Sequence, residues 1–148
     1  MSGVIGFDPA TVTGYAYRDS HGEWVTGVTN VKDKAALALL LSWAKAAGVT
    51  TTYIEDCYYQ NNPRTLKVLQ DIQTRIVVAC EAADIQTHII MPSEWQSSYR
   101  INGTRTDRKR GARAIARILC GGDTEPKSQD ECDAVCIADY GERKERSI

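Results

Sequence analysis

Short apolar runs alternate with longer amphipathic stretches along this chain, and the hydrophobic period switches repeatedly between two and about 3.6. Strands are expected near residues 3–8, 13–18 and 23–30. "RDSHGEW" reads as the hairpin turn between the second and third, with Gly22 free to take a positive backbone angle. The run "KDKAALALLLSWAKAAG", residues 32–48, predicts a helix stopped by Gly48. A fourth strand, "TTYIEDC" at 51–57, is rich in β-branched and aromatic residues. Pro63 suits the first turn of a helix to about Ala83, in which Leu69, Ile72, Ile76, Ala79 and Ala83 recur every three or four residues. "IQTHIIM" predicts a fifth strand ended by Pro92, followed by helices near 93–99, 106–119 and 129–141 and a tail, "ERKERSI", expected to fray. Three strands followed by alternating helices and strands argue for one α/β domain over residues 1–148. Its five-stranded sheet would be mixed, the first three strands antiparallel and the later ones parallel through helical crossovers.

Composition narrows the class without deciding it. The chain has 148 residues, 43% hydrophobic and 25% charged, an ordinary globular balance. No apolar run has membrane-spanning length, and the start "MSGVIGFDPA" lacks the features of a signal peptide, so a cytoplasmic protein with no membrane partner is expected. Five cysteines without CxxC spacing argue against a disulfide scaffold, and two histidines argue against a His-rich zinc site. The net charge of −1 conceals an asymmetry. Residues 100–117, "RINGTRTDRKRGARAIAR", carry six arginines, one lysine and one acid. Such a segment is either a solvated helix face or a nucleic-acid footprint.

The acids carry the chemistry. Asp8 and Glu55 each end an apolar strand, and if those strands are parallel neighbours both project from the carboxyl edge of the sheet, where open α/β sheets hold ligands. Taken singly, Asp8 is a turn former before Pro9 and Glu55 an exposed strand end. In "SQDECDAVCIADYG", however, Asp130 and Asp133 lie three apart and share a helix face with Ala134, Ile137 and Gly141, the apolar stripe. N-terminal capping accounts for one acid of this pair and leaves the other pointing inward. Four inward-facing carboxylates resist ionisation unless a cation compensates them. An all-oxygen set with no neighbouring histidine or cysteine set selects magnesium or manganese. Two such ions about 4 Å apart suit phosphodiester hydrolysis, with the basic segment holding the polyanion.

These motifs resemble those of RuvC-type Holliday junction resolvases, members of the ribonuclease H-like (retroviral integrase) superfamily. "GFDPATVTGYAY" is similar to the family's first strand motif, "YIEDCYYQNN" to its second acidic motif and "DECDAVCIADYG" to its closing one, in order from residue 3 to about 141. The resemblance implies a ribonuclease H-like fold and a metal-dependent endonuclease that resolves four-way junctions and other branched DNA as a homodimer. Asp8, Glu55, Asp130 and Asp133 would hold two Mg2+ ions, with Mn2+ a possible substitute. Asp8 would bridge both ions. Tyr58, or else Tyr59, would stack on bases at the junction centre. Lys109, or Arg108 beside it, would assist at the phosphate, and Arg105, Arg110 and Arg113 extend the DNA-binding surface. In the helix from Pro63, Val68 and Val78 point away from Leu69, Ile72 and Ile76, towards either a partner copy or neighbouring helices.

The chain departs from the family pattern in places. Ala10 stands where glycine is common, the turn from Asp8 to Gly14 is a residue short, and "MPSEWQSSYR" lacks a lysine often found after the fifth strand. The compact chain fits a phage-type member, which would act in the host cytoplasm. A flap, branched-DNA or RNA nuclease of the same superfamily and a non-catalytic junction-binding protein remain as alternatives. A nucleotide-binding domain of the actin and sugar-kinase type would need a second lobe.

Overall fold

A computed structural model describes residues 3–57, 62–122 and 126–147. The elements run β1 (Gly3–Asp8), β2 (Thr13–Arg18), β3 (Trp24–Thr29), α1 (Lys34–Ala46), β4 (Val49–Glu55), α2 (Pro63–Ala82), β5 (Gln86–Ile90), α3 (Pro92–Ser98), α4 (Arg105–Leu119) and α5 (Gln129–Arg146). The strands form one sheet in the order β3-β2-β1-β4-β5. β1 pairs antiparallel with β2, as β2 does with β3, whereas β4 lies parallel to both β1 and β5. The mixed sheet expected from the sequence is therefore the one formed. β4 begins and ends two residues earlier than its pattern suggests, which makes Glu55 its final residue.

Strand alternation sends neighbouring side chains into different cores. Ile5, Phe7 and Ile54 face one side, where Leu37, Leu41, Ile72 and Ile76 of α1 and α2 cover them. Val4 and Tyr53 face the other, against Ala134, Val135, Ile137 and Ala138 of α5. Val68 and Val78, on the outer side of α2, are exposed. None of the described helices is long and apolar enough to cross a membrane.

Glycine sets how closely α5 approaches the sheet. A Cβ at Gly6 would stand 2.6 Å from the Ala134 carbonyl oxygen and 2.6 Å from the Ala138 amide nitrogen. One at Gly14 would collide with the Asp130 carbonyl group. The obstacle in each case is backbone, which cannot rotate aside as a side chain can. The helix also extends to Arg146, beyond the expected end near 141. Glu145 explains the difference, because it accepts hydrogen bonds from Thr51 Oγ1 (3.2 Å) and Tyr53 Oη (3.0 Å) and ties the last turn to β4.

Gly6→Ala and Gly14→Ala are each expected to lower stability by about 2–3 kcal/mol, the cost of overpacking against a rigid neighbour. Urea unfolding checks this, and a loss under about 0.5 kcal/mol would mean that α5 can ride outward freely.

Candidate active site

The short turn after β1 keeps Asp8 at the sheet edge. Asp8 is the last residue of β1 and pairs in register with Gly14. Thr13 closes the turn, its buried hydroxyl donating to the Ala10 carbonyl at 2.7 Å. One fewer residue and an alanine at position 10 thus change the path of the turn without moving the carboxylate off the edge.

Beside Asp8, on parallel β4, stands Glu55, and the first turns of α5 bring Asp130 and Asp133 over the same edge. All four acids line one cavity of about 590 Å³. Capping of α5 falls to other groups. The Ser128 hydroxyl accepts from the Glu131 amide and donates to Glu131 Oε2, while Thr26 donates to Glu131 Oε1 at 3.0 Å. Glu131, the acid between the pair, is buried and fully occupied by these bonds, which leaves Asp130 and Asp133 facing the cavity.

Burial and mutual repulsion raise the proton affinities of Asp8, Glu55 and Asp133. Asp8, only 7% exposed, is pushed well above the usual carboxylate range by burial and then by the charges of Glu55, Asp133 and Asp130. Burial raises Glu55 to about 7, against the lowering effect of a hydrogen bond from Trp95. Asp133 rises to about 6 for the same first reason, moderated by a hydrogen bond from Gln129 and by the charge of Lys109.

Two neutral donors in the cavity wall were not legible in the sequence. Trp95 Nε1 donates to Glu55 Oε2 at 2.6 Å, and Gln129 Nε2 donates to Asp133 Oδ1 at 2.9 Å and to the Lys109 carbonyl at 3.2 Å. The i,i+4 spacing of Gln129 and Asp133 was the one local signal available. Trp95 belongs to the segment lacking the expected lysine, where Pro92, Trp95 and Gln96 supply an uncharged wall.

The opposite wall is cationic. Arg105, Arg108 and Lys109 of α4 line the cavity with the acids. Arg110 and Arg113 are exposed on α4 but lie outside the cavity lining, on an adjoining face of the helix. Tyr58 and Tyr59 lie outside the described residues. Among the described residues, no three side chains of the metal-binding types are drawn together as a finished coordination shell; the acids stand around the cavity instead. Their chemistry fits a hard divalent cation nonetheless. All four offer oxygen, and the raised proton affinities of Asp8, Glu55 and Asp133 mark uncompensated negative charge that such a cation would neutralise.

No family model matches this chain, and no curated protein matches it by sequence. Solved structures do match. Thermus thermophilus RuvC in complex with a Holliday junction substrate superposes with a TM-score of 0.78 at 14% identity, covering 99% of this chain and 96% of that one. A second Thermus thermophilus RuvC structure gives 0.72 at 16% identity, over 98% and 96% of the two chains. The yeast mitochondrial Holliday junction resolvase Ydc2 gives 0.52 at 14% identity, over 94% of this chain and 77% of that one. The fold is therefore that of the RuvC resolvases, ribonuclease H-like in its strand order and directions.

A carboxyl group with a raised value binds protons more tightly in the folded chain than in the unfolded one. The stability it contributes is complete below its ordinary value near 4 and is lost as the pH rises through its folded value. In EDTA, the melting temperature is thus expected to fall as the pH rises through the values of about 6 for Asp133 and about 7 for Glu55. Asp8→Asn, which removes one buried charge, should flatten that fall and raise stability above pH 7 by about 1–2 kcal/mol. Calorimetric scans from pH 4 to 8 test this, and identical slopes for the two proteins would contradict it.

Proposed function

We propose that this chain is a magnesium-dependent endonuclease that resolves four-way DNA junctions by phosphodiester hydrolysis, working as a homodimer. One observation carries the reading: four carboxylates and three cationic side chains share a single cavity at the carboxyl edge of a RuvC-like sheet. An acidic cluster repels a phosphodiester, so a binding-only surface gains nothing from it, whereas an acidic cluster loaded with cations attracts one. In support, one similar structure holds a RuvC with its Holliday junction substrate.

Asp8, Glu55, Asp130 and Asp133 would hold two Mg2+ ions, with Mn2+ able to replace them. Bound there, magnesium supplies a nucleophilic water at neutral pH and neutralises charge on the leaving oxygen. The protein's own groups do the rest. Asp8, flanked by Glu55 and the α5 pair, would contribute its carboxylate to holding both ions. Lys109 and Arg108 hold the scissile phosphate against the acids, and Arg105 fixes its approach from the first turn of α4. Arg110 and Arg113 follow the strand beyond the cavity as phosphate contacts that position the arm without reading sequence. Tyr58, or Tyr59, stacks on a base at the branch point. Hydrolysis leaves 5′-phosphate ends. A second copy packed on the outer face of α2, over Val68 and Val78, would supply the second of two paired cuts.

Four-way, flap, forked and linear duplex DNA, incubated with magnesium or EDTA, provide the decisive comparison. The four-way junction is expected to be cut fastest, with cleavage abolished by EDTA and reduced about 10³-fold or more by Asp8→Asn, a barrier of ~4 kcal/mol. Cleavage persisting in EDTA would remove the metal mechanism. Equal rates on flap and four-way DNA would leave a nuclease that is not a resolvase.

The charges on α4 make a separate forecast. Arg110→Ala and Arg113→Ala should each weaken junction binding across all sequences and reduce the slope of log affinity against log salt by about 1. The single-turnover cutting rate at saturating protein should stay within about twofold. An unchanged salt slope would place the DNA elsewhere.

A further inference from the structure

Trp95 is 1% exposed, among the most deeply buried large side chains in the protein. Its packing against the α5 side of the sheet accounts for the burial but not for the direction of the indole N–H. An indole nitrogen only donates, and when buried it needs an acceptor. The acceptor it has is Glu55 Oε2, at 2.6 Å, a short bond of the charge-assisted kind. One oxygen of this carboxylate is thereby occupied and the other, Oε1, is left for the cavity.

The donor is itself held firmly from α5. Ser98 Oγ donates to the Trp95 carbonyl at 2.8 Å, and Arg143 Nη2 donates to that same hydroxyl at 3.1 Å. Tyr99, next along the chain, donates its hydroxyl to Asp139 Oδ2 at 2.5 Å, and the Arg143 guanidinium lies 4.7 Å from its ring centre. Asp139 and Arg143 stand two and three turns beyond Asp133 on the same helix. The element that carries Asp130 and Asp133 therefore also anchors the short helix that aims Glu55. This connection adds to the Glu145 bonds with β4 a second tie between the strand-borne and helix-borne acids, close to Glu55 itself.

We infer that Trp95 is a positioning residue for Glu55: its indole N–H restrains Oε2, so that the carboxylate offers Oε1 alone to a divalent cation and stays in register with the α5 pair. The inference rests on the metal-site reading above. A donor to a ligand oxygen fixes the ligand's orientation, and loss of such partners typically weakens metal affinity or activity 10–100-fold.

The test compares the wild-type protein with Trp95→Phe and with a protein carrying 3-benzothienylalanine at position 95, which keeps the bicyclic shape and replaces the N–H by sulfur. Metal affinity is read by calorimetric titration with Mn2+ without DNA, and the magnesium concentration for half-maximal junction cleavage is read separately. Both substituted proteins should bind Mn2+ about 10-fold or more weakly and require correspondingly more magnesium. Junction affinity in EDTA should stay within about twofold. The benzothienyl protein should melt within a few degrees of wild type, which separates the lost hydrogen bond from lost packing. Unchanged Mn2+ affinity in the benzothienyl protein would overturn the positioning role while leaving the nuclease reading intact. A wild-type protein that binds no Mn2+ would overturn both.

Discussion

Like charges brought together out of water constrain this molecule more than any other interaction. Asp8 is buried, and three further carboxylates face the same cavity within range to raise its proton affinity. Each of them costs solvation on folding, and together they repel. The surroundings answer this cost in three ways: neutral hydrogen-bond donors on Glu55 and Asp133, cationic side chains across the cavity, and the positive end of α5 beneath Asp130 and Asp133. None of these cancels the charge completely, and a site left acidic in this way is what a divalent cation requires. On the proposed reading, stability and activity are opposed at Asp8, as they commonly are where function needs a buried charge.

The helix α5 is the part on which both sides of that balance meet. Its first turns lie close over β1 and β2 because Gly6 and Gly14 have no side chain to hold it away. Farther along, Asp139 and Glu142 meet Arg18 of β2, at 3.6 and 3.0 Å, and Asp139 meets Arg143 at 3.2 Å. Half-buried ion pairs of this kind add little net stability, since desolvation offsets most of the attraction. Their contribution here is geometric: they fix the rotation of α5 against the sheet and hold α3 through Tyr99. A small rotation at that end would be felt at the acids, because the helix is one rigid body.

Much of this was legible in advance, and for a definite reason. Period-2 and period-3.6 patterns are local, so they report which face of an element a residue occupies whatever the rest of the chain does. Together with the order of the elements, that sufficed for the mixed sheet, for placing Asp8 and Glu55 at strand ends, and for recognising that Asp130 and Asp133 head a buried stripe. It also sufficed for separating Ile72 and Ile76 of α2, which are buried, from Val68 and Val78, which are not. Where the pattern misled, a distant contact had intervened. The tail around Glu145 reads as fraying only because Thr51 and Tyr53, the partners of Glu145, are some ninety residues away.

The chain's sequence by itself determined the succession of strands and helices and the end of each element at which the four acids stand, because alternation and helical periodicity are properties of neighbours. The parallel pairing of β1 with β4 that brings Asp8 and Glu55 to one sheet edge belongs to the tertiary structure. Only the tertiary structure decided which polar groups answer those acids. Trp95 and Glu55 are 40 residues apart, as are Tyr99 and Asp139, and nothing in either local pattern marks them as partners. It also decided that Glu131 joins Ser128 in the cap while its neighbours turn to the cavity, and that Arg105, Arg108 and Lys109 line the cavity while Arg110 and Arg113 do not. A buried polar atom must be satisfied by whatever packing brings within about 3 Å, and that is a property of the folded chain as a whole.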